Sequence, residues 1–244
     1  MSEWWSYRPA DFLMFSPRIY WRLFASINEA FWPAQPALIA LGMAWLARAR
    51  AQRLAAGALA IASAVVAWAF LWQRFTPINW PAQYFALAFA LQAVVLATLA
   101  VGGGSHTTDF LWRRRTGIAL IAWALLGHPL LAPAFGRPWS QAEVFGLAPD
   151  PTAIATLGWL LGVEARGAAR IALRIALHIA RLLAALWLAA AAAMLAVMGS
   201  WQAIVPFAAL AASWLARNGR HCLRWVRANS ELRRGGEERR SPGT

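Results

Sequence analysis

Most of this chain consists of apolar stretches that are close to the length of a membrane-spanning helix, and this limits what it can fold into. Arginines, or glycine and proline, separate these stretches. A helix needs about 20 residues to cross a bilayer core of about 30 Å. These stretches therefore predict spanning helices. The seven predicted spans are Ala30–Ala47, Leu54–Trp72, Ala82–Val101, Thr116–Phe135, Thr152–Val163, Leu182–Val197 and Ala203–Ala216. The fifth is short, so we expect it either to draw in residues 144–147 or to stop before crossing.

The composition agrees with this pattern. Of the 244 residues, 60% are apolar and 14% are charged, whereas soluble domains average about 45–50% and about 25%. We therefore predict an all-α, polytopic transmembrane helix bundle of about seven spans.

The distribution of arginine predicts the orientation of this bundle. All 23 basic residues are arginine, which excludes mechanisms that need a lysine, such as a retinal Schiff base or a pyridoxal aldimine. With seven spans, 18 arginines lie on one side of the membrane and five on the other. Because cytoplasmic connections carry the excess of positive residues, we expect the N-terminus outside and the C-terminus in the cytoplasm of a bacterium. The same dispersal explains the net charge of +13 without a nucleic-acid partner.

Three parts are predicted along the chain. Residues 1–29 form an N-terminal segment in which Ser16 and Pro17 start an amphipathic helix at the membrane surface. Residues 30–216 form the transmembrane bundle. Residues 217–244 form a basic cytoplasmic tail, part of which is polar enough to be disordered.

A basic stripe precedes the sixth span. Arg170, Arg174, His178 and Arg181 are spaced by four, four and three residues and therefore share one face of a helix. We expect this stripe to contact anionic lipids of the cytoplasmic leaflet or a partner protein.

Polar residues are concentrated in two connections on the predicted outer side. The candidate ligand-binding residues there are Gln73, Arg74, Asn79, Gln83, Arg137 and Glu143. Two isolated arginines can clamp an anion, or they can pair with Glu143 and Asp150. Both interpretations stay open from the sequence.

His128 is the ionisable residue inside the fourth predicted span. It lies between Gly127 and Pro129, and a proline in a helix frees backbone carbonyls that a wet cavity can satisfy. We expect His128 either to contribute to ligand binding in such a cavity or to be a neutral histidine hydrogen-bonded to a neighbouring helix.

Motifs for catalysis and cofactor binding are not found in the sequence. There is no suggestive Ser/His/Asp set, no HExxH motif, no paired-cysteine motif and no nucleotide-binding glycine loop. His221 and Cys222 are adjacent, which does not make a metal site. We therefore predict a protein that is not an enzyme and that has no catalytic residues, no metal site and no cofactor.

Three groups of motifs carry a resemblance to a known family. They are Ser2–Tyr7 with Phe15–Arg18, Trp68–Phe75 with Ile78–Trp80, and Gly136–Trp139 with Glu143–Thr152. Over roughly the first 160 residues the chain resembles a family of bacterial inner-membrane proteins of unknown function. Its members are sometimes labelled as permeases of the major facilitator type, although that superfamily is built from two six-span halves. The resemblance implies no functional residues.

Two functions fit these observations. The first is a permease-like or channel-like protein for a small solute or ion, with its ligand entrance at the outer face. The alternative is a non-catalytic accessory or assembly subunit of a larger membrane complex, which would use its aromatic outer face and its arginines as contact surfaces. The expected protein partners are other membrane subunits or further copies of the same chain.

Overall fold

The computed structural model describes residues 13–47, 52–102, 105–165 and 170–218. Within these ranges the fold is all-helical apart from one pair of three-residue strands. Four of the helical segments are long and apolar enough to cross a membrane. They are Gln52–Phe75, Ala82–Gly102, Leu111–Ala134 and Ile171–Val197. The count of seven spans and the orientation of the termini remain predictions.

The first helix, α1 (Pro17–Ala30), begins where the sequence predicts. The Ser16 hydroxyl accepts a hydrogen bond from the Ile19 amide, and Pro17 occupies the first helical position, where its missing N–H costs nothing. One face of α1 buries Tyr20, Phe24 and Ile27. Helix α2 (Ala34–Ala47) follows after a short turn.

Two of the long segments change their helical winding. Helix α3 (Gln52–Val65) continues as a π-helix over Val66–Phe75. Helix α5 (Leu111–Ala122) continues through a π-helical turn (Trp123–Gly127), a 3-10 turn (His128–Leu130) and the short helix α6 (Leu131–Ala134). Pro129 has no N–H to donate, and such irregular turns are where helices commonly place functional side chains.

Helix α7 (Pro149–Leu161) lies at the centre of the bundle, and all of its residues are buried. Strand β1 (Ser105–Thr107) pairs antiparallel with β2 (Val163–Ala165), with His106 opposite Glu164. Helices α5 and α7 cross with their backbones close together at Gly117 and Gly158. A Cβ atom added to Gly117 would overlap the carbonyl oxygen of Gly158. The predicted fifth span is therefore a short, enclosed helix.

The last two helices form a hairpin. Helix α8 (Arg170–Val197) begins 12 residues before the predicted sixth span, because the arginines at its start lie on one helical face and do not end the helix. A turn through Gly199 and a 3-10 segment (Trp201–Ala203) lead into α9, residues 204–218. The tail from residue 219 lies outside the described residues.

The outside of the bundle is strongly apolar. Helix α4 (Ala82–Gly102) exposes Leu87, Leu91 and Val94, and α8 exposes Leu182 and Leu186. Large contiguous apolar surfaces of this kind are rare on soluble monomers. They are what lipid-facing helices require.

Candidate functional site

A connection that folds into the bundle forms the core of the candidate site. Residues 142–161 are all buried. The Asn28 amide donates to the carbonyl oxygens of Ser140 and Ala142, at 2.8 and 2.7 Å. Gly146 turns the chain with a φ of 82°, a conformation that glycine adopts without strain. These contacts fasten the connection to α1 and direct it toward α7.

Four ionisable side chains come together in and beside this connection: His128, Arg137, Glu143 and Asp150. We call them the polar centre. The His128 Nε2 atom lies 3.2 Å from the Glu143 Oε2 atom, and both side chains are almost fully buried. The guanidinium of Arg137 lies 3.6 Å from the Glu143 Oε1 atom. Glu143 thus has a different cationic or ionisable neighbour at each carboxylate oxygen.

Aromatic side chains from α1 and α8 hold the polar centre on two sides. The Arg137 guanidinium lies over the Trp21 ring, 3.6 Å from its centroid, which is a cation–π contact. The indole N–H of Trp187 donates to the Asp150 Oδ1 atom at 2.7 Å. Trp187 is in turn packed edge-on against Phe85 and Phe89 of α4. These contacts hold the guanidinium of Arg137 and one carboxylate oxygen of Asp150 in place.

Three buried polar atoms at or beside the polar centre have no hydrogen-bond partner among the described residues. They are the Nδ1 atom of His128, the Nη2 atom of Arg137 and the phenol oxygen of Tyr20. Tyr20 is fully buried and interacts electrostatically with Asp150, Glu143 and Arg137. Because an unsatisfied buried polar atom costs free energy, these atoms indicate that the region can accept a polar ligand.

Burial shifts the ionisation of the groups that lie outside the four long segments. Burial, and after it the negative charge of Glu143, raises the pKa of Asp150 to about 7, while His128 and the Trp187 N–H act in the opposite direction. Burial raises the pKa of Tyr20 well above its ordinary value, and Asp150 adds to this effect. Burial lowers the pKa of Arg137, and Glu143 counteracts it.

A groove of about 970 Å³ runs beside the polar centre, between α1, α2 and the connection that precedes Glu143. Most of its lining is apolar, and the side chains of Asn28, Glu29 and Gln35 contribute polar atoms. Pro129 and Ala142 line it as well, so it passes the direct sequence neighbours of His128 and Glu143. We call it the α1–α2 groove.

The structure brings together three of the seven residues predicted to bind a ligand, His128, Arg137 and Glu143. Arg74 lies elsewhere, since it donates to the Ser26 hydroxyl and to the Ala69 carbonyl oxygen. No hydrogen bond or ion pair among the described residues joins Gln73, Asn79 or Gln83 to the polar centre. The connection that carries these residues does not line the α1–α2 groove.

Asp150, Tyr20 and Trp187 belong to the site but are not among the predicted ligand residues. Asp150 was visible in the sequence as a possible arginine partner, yet it pairs with the indole of Trp187. Tyr20 and Trp187 carry no sequence signal, because tryptophan and tyrosine are ordinary interface residues in a membrane protein.

The basic stripe occupies the opposite end of α8. Arg170 is its first residue, and Arg174 and His178 are exposed along the same helix. Arg181 donates to the Leu160 carbonyl oxygen, and its Nε atom is buried without a partner among the described residues. Contact of this stripe with lipid or protein remains a prediction.

The polar centre contains a set of groups that could hold a metal ion. One ligand atom from each of His128, Glu143 and Asp150 lies within 4.8 Å of the other two. The sequence predicted no metal site, because the spacing of these three residues matches no metal-binding motif.

The four long apolar helices are compatible with an integral membrane protein, which is the class that the fold supports. Residues 17–183 match the model of a family described as a family of unknown function, DUF6064, and the chain belongs to this family. The predicted resemblance to a family of unknown function is therefore confirmed. All four residues of the polar centre lie within the matched region. No curated protein and no solved structure matches the chain.

Proposed function

We propose that this protein is a permease-like membrane protein for a small solute or ion, which binds at the polar centre. The observation that carries the proposal is the burial of two carboxylates and a histidine among apolar helices, with a partly buried arginine beside them. Ionisable groups at such positions are costly, and in membrane proteins they mark ligand and ion pathways.

The α1–α2 groove supports the proposal because it passes direct sequence neighbours of this centre. Pro129 and Ala142, direct neighbours of two of its charged residues, form part of the groove wall. The irregular winding at Trp123–Leu130 is also typical of helices that line a ligand path.

Flux through reconstituted protein tests the proposal. In liposomes loaded with indicators for protons, divalent cations and halide, we expect the wild-type protein to accelerate the response of at least one indicator. Arg137→Gln should abolish that response, because it removes the guanidinium that faces Glu143. Arg22→Gln, the same change at an exposed position of α1, should leave the response unchanged.

Equal responses for wild type and Arg137→Gln, each measured per folded protein, would contradict the proposal. Purification with a stoichiometric partner, together with absence of flux, would favour the alternative function of an accessory subunit.

A further inference from the structure

We propose that His128, Glu143 and Asp150 bind a divalent transition-metal ion. This inference rests on the proposed function, since it names the ligand class of the same polar centre. Zn²⁺ and other divalent first-row transition-metal ions accept one imidazole and two carboxylates as ligands, whereas Mg²⁺ and Ca²⁺ prefer oxygen ligands alone.

The geometry is close to that of a bound site. Bonds of about 2.1 Å place the ligands of a tetrahedral metal roughly 3.4 Å apart, and the three ligand atoms here lie within 4.8 Å of one another. Small side-chain rotations therefore close the set around an ion. Three protein ligands leave a further coordination position open, which is typical of exchangeable sites and not of closed structural ones.

The surrounding groups support the three ligands as an outer shell does in metal sites. Trp187 holds Oδ1 of Asp150, which leaves Oδ2 for a metal. Arg137 faces Oε1 of Glu143, which leaves Oε2, the oxygen beside His128, for the same ion. Each carboxylate is thus oriented by one oxygen and offers the other.

Tyr20 provides the independent sign of a ligand. Its phenol oxygen is buried and has no hydrogen-bond partner among the described residues, although it is close enough to both carboxylates to interact with their charges. A water or solute atom in the open coordination position would give this hydroxyl a partner. A purely structural ion network of His128, Glu143 and Arg137 leaves the phenol unexplained.

Metal binding by the purified full chain tests the inference directly. After chelator treatment and dialysis against Zn²⁺ or Co²⁺, we expect one equivalent of metal per chain by elemental analysis. Co²⁺ should produce visible absorption of a low-symmetry site, and Mg²⁺ should not compete. Asp150→Asn keeps the size of the side chain and its acceptor for Trp187, and it should weaken binding by more than about 100-fold.

Asp109→Asn is the matched control, because Asp109 is exposed and distant in sequence from the ligands; it should bind like the wild type. If Asp150→Asn fails to fold, Trp187→Phe provides a second test, with an expected loss of about 10–100-fold. Less than a stoichiometric amount of metal on wild type, or full binding by Asp150→Asn, would overturn the inference. Stoichiometric metal binding without any flux would support the metal site and contradict the proposed permease function.

A second inference comes from the other end of α8. We infer that the cleft between α8 and α9 binds an anionic phospholipid. The cleft has a volume of about 660 Å³ and is lined by Leu182, Phe207 and Leu210 along its length, with His178, Arg181 and Arg217 at one end. Arg217 lies 3.5 Å from His178.

Three basic side chains, Arg181, Arg217 and His178, lie together at this end of the cleft. Within the described part of the chain no ion pair joins Arg181 or Arg217 to an acidic residue, and Glu164 of β2 is bound to Arg113 at 3.0 Å. A phosphate group would neutralise Arg181 and Arg217, and an acyl chain would extend over the apolar lining. Basic pockets beside membrane helices recognise lipid headgroups in this way.

Lipid retention tests this second inference. Protein purified in mild detergent with a mixture of phosphatidylglycerol and phosphatidylcholine should retain phosphatidylglycerol selectively in native mass spectra. Arg181→Gln and Arg217→Gln should each reduce retention about fivefold, and Arg115→Gln, an exposed arginine outside the cleft, should not. Equal retention of both lipids would overturn the inference. Competition by inorganic phosphate alone would show a phosphate site without lipid specificity and would overturn it as well.

Discussion

Gly117→Ala is expected to destabilise the bundle by about 3 kcal/mol and to lower the amount of folded protein sharply. The added Cβ would overlap the carbonyl oxygen of Gly158, and this backbone cannot rotate away as a side chain can. Helices α5 and α7 must separate to accept it. Thermal unfolding in detergent measures the loss.

Gly57→Ala is the matched control for this change. Its added Cβ meets only the Ala100 Cβ atom, at 3.9 Å, so the substitution should be neutral or stabilise α3 by about 0.5–1 kcal/mol. Gly158→Ala should behave like Gly117→Ala, since its Cβ would lie 2.7 Å from the Gly117 carbonyl oxygen. Equal stability of the Gly117 and Gly57 variants would show that α5 and α7 do not approach closely at Gly117 and Gly158.

Glu143→Gln is expected to cost about 3–5 kcal/mol, the usual effect of removing one partner from a buried ionic group. The substitution leaves Arg137 buried without a carboxylate partner and removes the neighbour of His128. Because the penalty arises from uncompensated charge, the double variant Glu143→Gln with Arg137→Gln should recover part of the stability. Reversible unfolding of the single and double variants measures this coupling.

Glu29→Gln makes the same chemical change at an exposed position of α1 and should have little effect. Additive losses in the double variant, with no recovery, would show that Arg137 and Glu143 do not depend on each other. Glu143→Gln is used here to measure stability, whereas Asp150→Asn is used to measure metal binding, so the two effects are tested with different variants.

The local start of α1 and the all-helical class could be predicted from the sequence, because capping chemistry and long apolar runs act over short distances. The length of α8 could not, since the basic stripe was predicted to precede a separate span starting at Leu182, whereas stripe and span belong to one continuous helix. Hydropathy alone also does not distinguish α7, which is enclosed by protein, from a helix that faces lipid.

The polar centre was predicted in part. His128, Arg137 and Glu143 are polar exceptions in an apolar sequence, so composition identifies them. Their junction with Asp150, Trp187 and Tyr20 depends on how α1, α7 and α8 pack, and no local pattern encodes that packing. For the same reason Arg74 was grouped with Arg137, although it is anchored to the carbonyl oxygen of Ala69.

Because α7 is enclosed by protein, the backbone amides of its first turn need hydrogen-bond acceptors there, and its prolines reduce the number of these amides. The first amides of a helix have no acceptor within the helix, and no capping side chain accepts a hydrogen bond at the start of α7. In an interior without water such free donors are costly. Pro149 and Pro151 carry no N–H, so two of the amides that would need an acceptor do not exist. The helix can therefore begin inside the protein and present Asp150 there.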